Sequence, residues 1–435
     1  MSNQVKLDSS EMVDFLEHII SNNRHIQGQG KKVVATEVIG DSGLGKTSVV
    51  LQIAEKHKLD VVKLNLAQIE ELGDLVGFPV RQFELCKEGE VELPVQAPKF
   101  EMKKVTLPNG KTLMKKVEVK PEIVDAKTSG CIWIDENAVD QYTKQGFVFT
   151  GKKRMSYCPP EWIADKKGGG VLMLDDWNRA DTRFIQAVME LVDRQEYISW
   201  KLPKDWHIIL TANPDDGNYM VNSIDSAQKT RFVSVVMKWN HERWAEWAEE
   251  EGIDGRCINF VLMNPEIVDA GKGVNPRSIT TFFNCISSIK TFEDTLPLIQ
   301  MVGEGSVGNE VATLFTTFIN NRLDKLVTPK EMLLTKDHAT ALQKVQEASG
   351  IVSGSEYRAD IASILTTRFI NYTLNYASKN KITPEIIDRV TTFVKDEDTF
   401  TDDLKYHIVK KILNGNKQKF QKLIFDKDVQ AYATK

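Results

Sequence analysis

The run Gly40-Asp41-Ser42-Gly43-Leu44-Gly45-Lys46-Thr47 lies between an apolar segment at 33–39 and a second apolar-rich segment at 48–54. This order predicts a strand, a glycine-rich turn and the start of a helix, the local build of a phosphate-binding loop. Glycines let the backbone curl until successive N–H groups face phosphate oxygens. Lys46 is expected to reach the β- and γ-phosphates and the Thr47 hydroxyl to hold Mg²⁺. With Ser48 opening the helix, residues 40–48 form the expected nucleotide-binding set, and ATP with Mg²⁺ the expected ligands.

The chain's 435 residues predict two or three domains with substantial cores. Its 41% hydrophobic and 27% charged residues are those of a soluble globular protein. A net charge of −5 argues against a globally basic nucleic-acid binder. Cys86, Cys131, Cys158, Cys257 and Cys285 are odd in number and lack metal-ligand spacing, so they are expected as reduced thiols of a cytosolic protein. The acidic N-terminus carries no signal-peptide pattern, and no run of eighteen apolar residues occurs. A cytoplasmic location without a membrane span is expected.

Along the chain, Ser9 and Ser10 are expected to cap a helix over 12–20, where Val13, Leu16 and Ile19 recur at helical spacing. Residues 60–64 read as a strand and 66–75 as a short helix. The stretch 80–170 reads as a long, irregular insertion. It contains a hairpin signal at Pro108-Asn109-Gly110 and many aromatic residues in its second half. Strands follow at 171–174, 206–210 and 232–237, with a helix at 180–192. Such alternation predicts an α/β fold, a parallel sheet sandwiched by helices, with ligands off the strands' carboxyl ends. From His241 onward the pattern is helical, with a break at 349–355. The expected division is a nucleotide-binding core over 1–240 with an insertion at about 80–165, a helical lid over 241–327 and a helical region over 328–435.

Asp175 and Asp176 close the apolar strand 171–174. A carboxylate there can hold Mg²⁺, the expected role of Asp175, and its neighbour Asp176 can activate a water. Asn213, at the end of another strand, can position the same water. Arg231 precedes the fifth strand, where a guanidinium could reach a neighbouring subunit's γ-phosphate. Arg277 opens a helix and could touch phosphate from within its own subunit. The pairs Lys103-Lys104 and Lys115-Lys116 and the run Lys152-Lys153-Arg154 are interleaved with Glu88, Glu90, Glu92 and Glu101, so a solvated or protein-binding surface is favoured over nucleic acid.

Taken together, these motifs resemble those of AAA+ ATPases, and within them the MoxR-like and dynein-related branch, over about residues 11–320. The resemblance rests on 40–47 (Walker A), 172–179 with Asp-Asp-Trp-Asn-Arg (Walker B), 211–214 (sensor 1), Arg231-Phe232 (arginine finger), 274–278 (sensor 2) and Leu-Val-Gly-Phe-Pro at 75–79. It implies a five-stranded core, a helical lid and a homo-oligomeric, hexameric ring with sites between subunits. It also implies Mg²⁺-dependent ATP hydrolysis that remodels a protein client, often with a von Willebrand A-type partner. That family usually has Asp-Glu where this chain has Asp175-Asp176, and a carboxylate one methylene shorter implies slower hydrolysis. Two other readings stay open: a nucleic-acid-directed motor of the clamp-loader or McrB-like kind, and a nucleotide-gated scaffold.

Overall fold

In the computed structural model, the described residues are 4–87, 100–106, 112–118, 130–268, 273–321, 323, 326–350 and 357–433, with backbone alone for 100–106 and 112–118. The strands begin with β1 (Lys6–Leu7), β2 (Ala35–Ile39) and β3 (Asp60–Asn65). Next come β4 (Phe78–Lys87), β5 (Phe100–Thr106), β6 (Thr112–Glu118), β7 (Gly130–Asp135) and β8 (Val148–Cys158). The last are β9 (Gly170–Asp175), β10 (Glu196–Tyr197), β11 (Trp200–Lys201), β12 (Trp206–Ala212) and β13 (Phe232–Met237).

Two compact units divide the chain. One comprises Met1–Ala67, Gly170–Ala180 and His207–Lys435, the other Gln68–Gly169 and Asp181–Trp206.

The first unit holds the central sheet, in the order β1-β13-β2-β12-β9-β3. The pairings β1 with β13, β13 with β2, β2 with β12 and β9 with β3 are parallel. The expected five strands are therefore six, because two residues at the N-terminus add an edge strand too short to carry a sequence pattern. One face presents Val38, Val171, Met173, Ile209, Val235 and Met237 to Met12, Leu16 and Ile20 of helix Ser9–Gly28 and to Val50 and Ile53 of helix Lys46–Lys56. Alternate residues Leu172, Leu174, Ile208 and Leu210 are buried too, which is why these strands read as unbroken apolar runs. The fold is α/β, a parallel sheet with helices, and the described residues after β13 are helical.

Some local expectations are corrected. Asp8, not Ser9 or Ser10, caps the first helix, in a capping box with Glu11. Helix 66–75 shrinks to Leu72–Val76, because the Asn65 side chain accepts from the Ala67 N–H and turns the chain out of helical geometry. Within the helical part, helix Leu296–Asn320 is broken at Gly308 by a φ of 85°.

Two apolar clusters organise the helical part, one built on Trp244, Phe260, Phe282 and Phe315, the other on Phe369, Phe393, Ile408 and Phe420. Met263 and Leu323 pack against both. Arg368 also ties them together. Its guanidinium, on helix Ala359–Lys379, donates to Glu249 (2.7 Å) and Asn259 (2.9 Å) and is buried. Removing one partner of a buried pair leaves the other charge uncompensated. Arg368→Met is therefore expected to cost about 3 kcal/mol of unfolding free energy, read as a lower denaturant midpoint. An unchanged midpoint would show that the pair does not hold the helical part together.

The second unit contains a three-stranded antiparallel sheet, β7-β4-β8, where irregular chain was expected. Its β8 is exposed along most of its length, so no apolar alternation marks it in the sequence. Cys86 and Cys131 stand opposite each other in the β4–β7 register and form a disulfide, so the expectation of reduced thiols fails for this pair. Spacing gives no hint of it, because strand register alone brings the two together. Lys153 lies over the rings of Phe83 and Phe149, Arg154 lies 4.4 Å from the Trp133 ring, and Lys152 pairs with Glu84. Strands β5 and β6 pair antiparallel with Lys103 opposite Lys115, as the hairpin signal predicts, while Pro108-Asn109-Gly110 falls outside the described residues. So do Glu88, Glu90 and Glu92, and most of the break at 349–355. No helix among the described residues is long and apolar enough to cross a membrane.

Candidate functional site

A cleft of about 610 Å³ opens at the carboxyl ends of β2, β9 and β12, lined by residues 42–49, Asp175, Asp176, Asn213 and Arg277. Its other walls include Ser9, Ser10, Trp239, Trp244 and Trp247. Gly43 (φ 81°) and Gly45 (φ 93°) take the left-handed conformation, which turns the loop over the start of helix Lys46–Lys56. Gly43 has no space for a side chain either, since a Cβ there would stand 2.5 Å from the Asn275 Oδ1. Asn275 caps the helix Pro276–Ile286, so this contact sets the helix carrying Arg277 against the loop.

Lys46 is buried, and its ammonium donates to the carbonyls of Gly40 and Asp41 and to the Asn213 Oδ1 at 3.3 Å. Burial lowers its pKa to about 8, against the opposing pull of Asp176 and Asp175. An ammonium held below its usual pKa gains from an anion beside it. A phosphate tail in the cleft would raise that pKa, so nucleotide binding near pH 8 is expected to take up about half a proton, and almost none at pH 6.5. Calorimetry in buffers of different ionisation enthalpy measures this; a binding heat independent of buffer at pH 8 would contradict it. The sign for the free protein follows from the same shift. Unfolded Lys46 binds more protons than folded Lys46 between pH about 8 and 10.5, so stability rises with pH across that window.

The two carboxylates are held differently. Asp175 accepts from the Thr211 hydroxyl on one oxygen, and the Lys63 ammonium lies 2.8 Å from the other. Asp176 sits in the left-handed region (φ 52°), a conformation Asp and Asn tolerate better than other side chains. Its N–H donates to the Thr211 Oγ1, and the Asn213 Nδ2 donates to its Oδ1 at 3.0 Å. Asn178 grips Asn213 from behind, donating to its carbonyl (2.8 Å) and accepting from its N–H (3.2 Å). Tyr219 accepts from the Ser42 N–H and donates to Asp41.

The structure thus gathers residues 40–48, Asp175, Asp176, Asn213 and Arg277 at one cleft. Arg231 does not line it; the residue is half-buried after the short helix Ser226–Lys229, its N–H bonded to the Gln228 carbonyl. Lys63 and Tyr219 escape the sequence reading, while Thr211 and Asn178 lie inside the stretches 211–214 and 172–179 without a role of their own there. Only Thr211, two residues before Asn213 at the same strand end, carries a local signal. The residues fit a magnesium-bound nucleoside triphosphate. A left-handed glycine loop, a buried ammonium, and the Thr47 hydroxyl and Asp175 carboxylate lining the same cleft are the donor set it needs.

No family model matches this chain, and no curated protein matches it. Among solved structures it is similar to the Thermotoga maritima RuvB Holliday junction branch migration motor, at 10% identity and a TM-score of 0.32, covering 86% of this chain and 90% of that one. It is also similar to a Cytophaga hutchinsonii protein provisionally named an ATPase, at 13% identity and a TM-score of 0.27, covering 94% and 90%. Scores this low assign no chemistry to this chain. Its own fold places a glycine-rich loop, a buried lysine and two carboxylates at the carboxyl ends of a parallel sheet.

Proposed function

We propose that this chain is a Mg²⁺-dependent ATP hydrolase of the AAA+ class, MoxR-like in kind, which works as a hexameric ring and remodels a protein client. The observation that carries the reading is the buried Lys46, cradled by the loop carbonyls and Asn213 with Asp175 and Asp176 close enough to act on its charge. In this reading the N–H groups of residues 43–48 and the Lys46 ammonium bind the β- and γ-phosphates. Thr47 and Asp175 would hold Mg²⁺, whose charge would offset that of the phosphate oxygens. Asp176 takes the proton of the attacking water, Asn213 orients that water, and Arg277 contacts phosphate within the same subunit. Arg231 serves the neighbouring subunit's site.

Residues 1–240 act as the core with its insertion, 241–327 as the lid and 328–435 as a further helical domain. The insertion is the proposed contact for a client or a von Willebrand A-type partner. Because Lys63 already pairs with Asp175, the metal must compete with an internal cation, and slow turnover is expected.

Lys46→Ala tests the reading. Titration calorimetry is expected to show no ATP binding by a variant whose circular dichroism is unchanged. Undiminished affinity in that folded variant would remove the assignment.

A further inference from the structure

Glu37 is a carboxylate on the central strand β2, 3% exposed, and the chemistry proposed above does not use it. Burying such a group costs free energy unless donors meet it. Two do. The Trp177 indole donates to its Oε1 at 2.9 Å, and the Ser234 hydroxyl, directly opposite in the β2–β13 register, donates to its Oε2. Trp177 is fully buried and adjoins Asp176 in the chain; its ring meets Phe232 edge-on at 5.6 Å. Phe232 in turn adjoins Arg231.

Glu37 lies on the sheet face opposite Val38, which packs against the first two helices, so its bonds are not part of that core. Burial holds its carboxyl above the ordinary range, although Ser234 and Trp177 pull the other way.

We infer that Glu37 and Trp177 are positioning residues that link, within one subunit, the turn carrying Asp176 to the strand start carrying Arg231. The link rests on the hydrolase reading and deepens it. A change at the Asp176 turn on nucleotide binding moves Trp177, and through Glu37, Ser234 and Phe232 it moves the arginine offered to the next site. The sequence marks the place only as one charged residue inside an apolar strand.

The test uses the full chain and two readouts. In hydrogen exchange without turnover, ATP is expected to protect both the loop 40–48 and the segment 226–234. Trp177→Phe, which keeps the ring against Phe232 but removes the N–H, should keep the first protection and lose the second. In kinetics at ring-forming concentration, Trp177→Phe should lower kcat about tenfold with KM changed less than twofold. Glu37→Leu should behave alike, whereas Glu37→Gln, which can accept from Trp177 and donate to Ser234, should restore most of the rate. In an Arg231→Ala background, Trp177→Phe should add no further loss.

Equal protection of 226–234 in the unchanged protein and in Trp177→Phe, or multiplicative losses in the double variant, would overturn the link. Should Glu37→Leu fail to fold, the Trp177→Phe measurements decide alone. Absence of protection at 40–48 in the unchanged protein would instead refute the nucleotide-binding reading, and the link with it. Protection at 40–48 without protection at 226–234 refutes the link alone.

Discussion

Arg231→Ala is expected to bind ATP with near-normal affinity and to hydrolyse it about 10³-fold more slowly, the lower end of what a guanidinium supplies to phosphoryl transfer. Arg231 is absent from the lining of the cleft that holds Lys46, Asp175 and Asp176, so its loss should leave nucleotide binding intact. If it serves the adjoining copy, mixing Arg231→Ala with Lys46→Ala should recover part of the activity. Some interfaces in mixed rings would then pair an intact loop with an intact arginine. Steady-state rates of the two variants, alone and mixed, measure this. No recovery in mixtures shown to co-assemble would count against an arginine acting between subunits.

Asp176→Asn is expected to retain ATP while turnover falls between about 10²- and 10⁴-fold, since the amide cannot take the water's proton. The structure makes this a clean substitution. Asn tolerates the left-handed backbone of Asp176 as well as Asp does, and its carbonyl oxygen can still accept from Asn213. Asp176→Glu is less simple. It restores the longer carboxylate, but glutamate in the left-handed region costs about 1–2 kcal/mol. A rate that holds or rises in Asp176→Glu would mean the extra reach outweighs that strain. Single-turnover hydrolysis with binding measured separately resolves both variants, and a fully active Asp176→Asn would assign the proton to another group.

The loop at residues 40–48 was legible because its meaning is local: glycine spacing, an apolar strand before it and a helix after it are contiguous in the chain. The strands β2, β9, β12 and β13 were legible for the same reason, each a short apolar run. Lys63 on Asp175, Asn178 behind Asn213, and Glu37 between Trp177 and Ser234 were not, since each contact is made by strand order and joins residues far apart in sequence. The sheet of β4, β7 and β8 is not legible in the sequence, because its longest strand exposes Lys152, Lys153 and Arg154 and leaves no alternation to detect. Its disulfide depends on register, which composition and spacing do not encode.

The central claim is turnover at a site completed by a second copy of the chain. ATP hydrolysis per subunit, measured against protein concentration with sizing of the same samples and with and without DNA, tests it most directly. The rate per subunit is expected to rise with concentration to a plateau as assembly completes, and to be unchanged by DNA. A rate that stays flat down to concentrations where only monomer is present would contradict it.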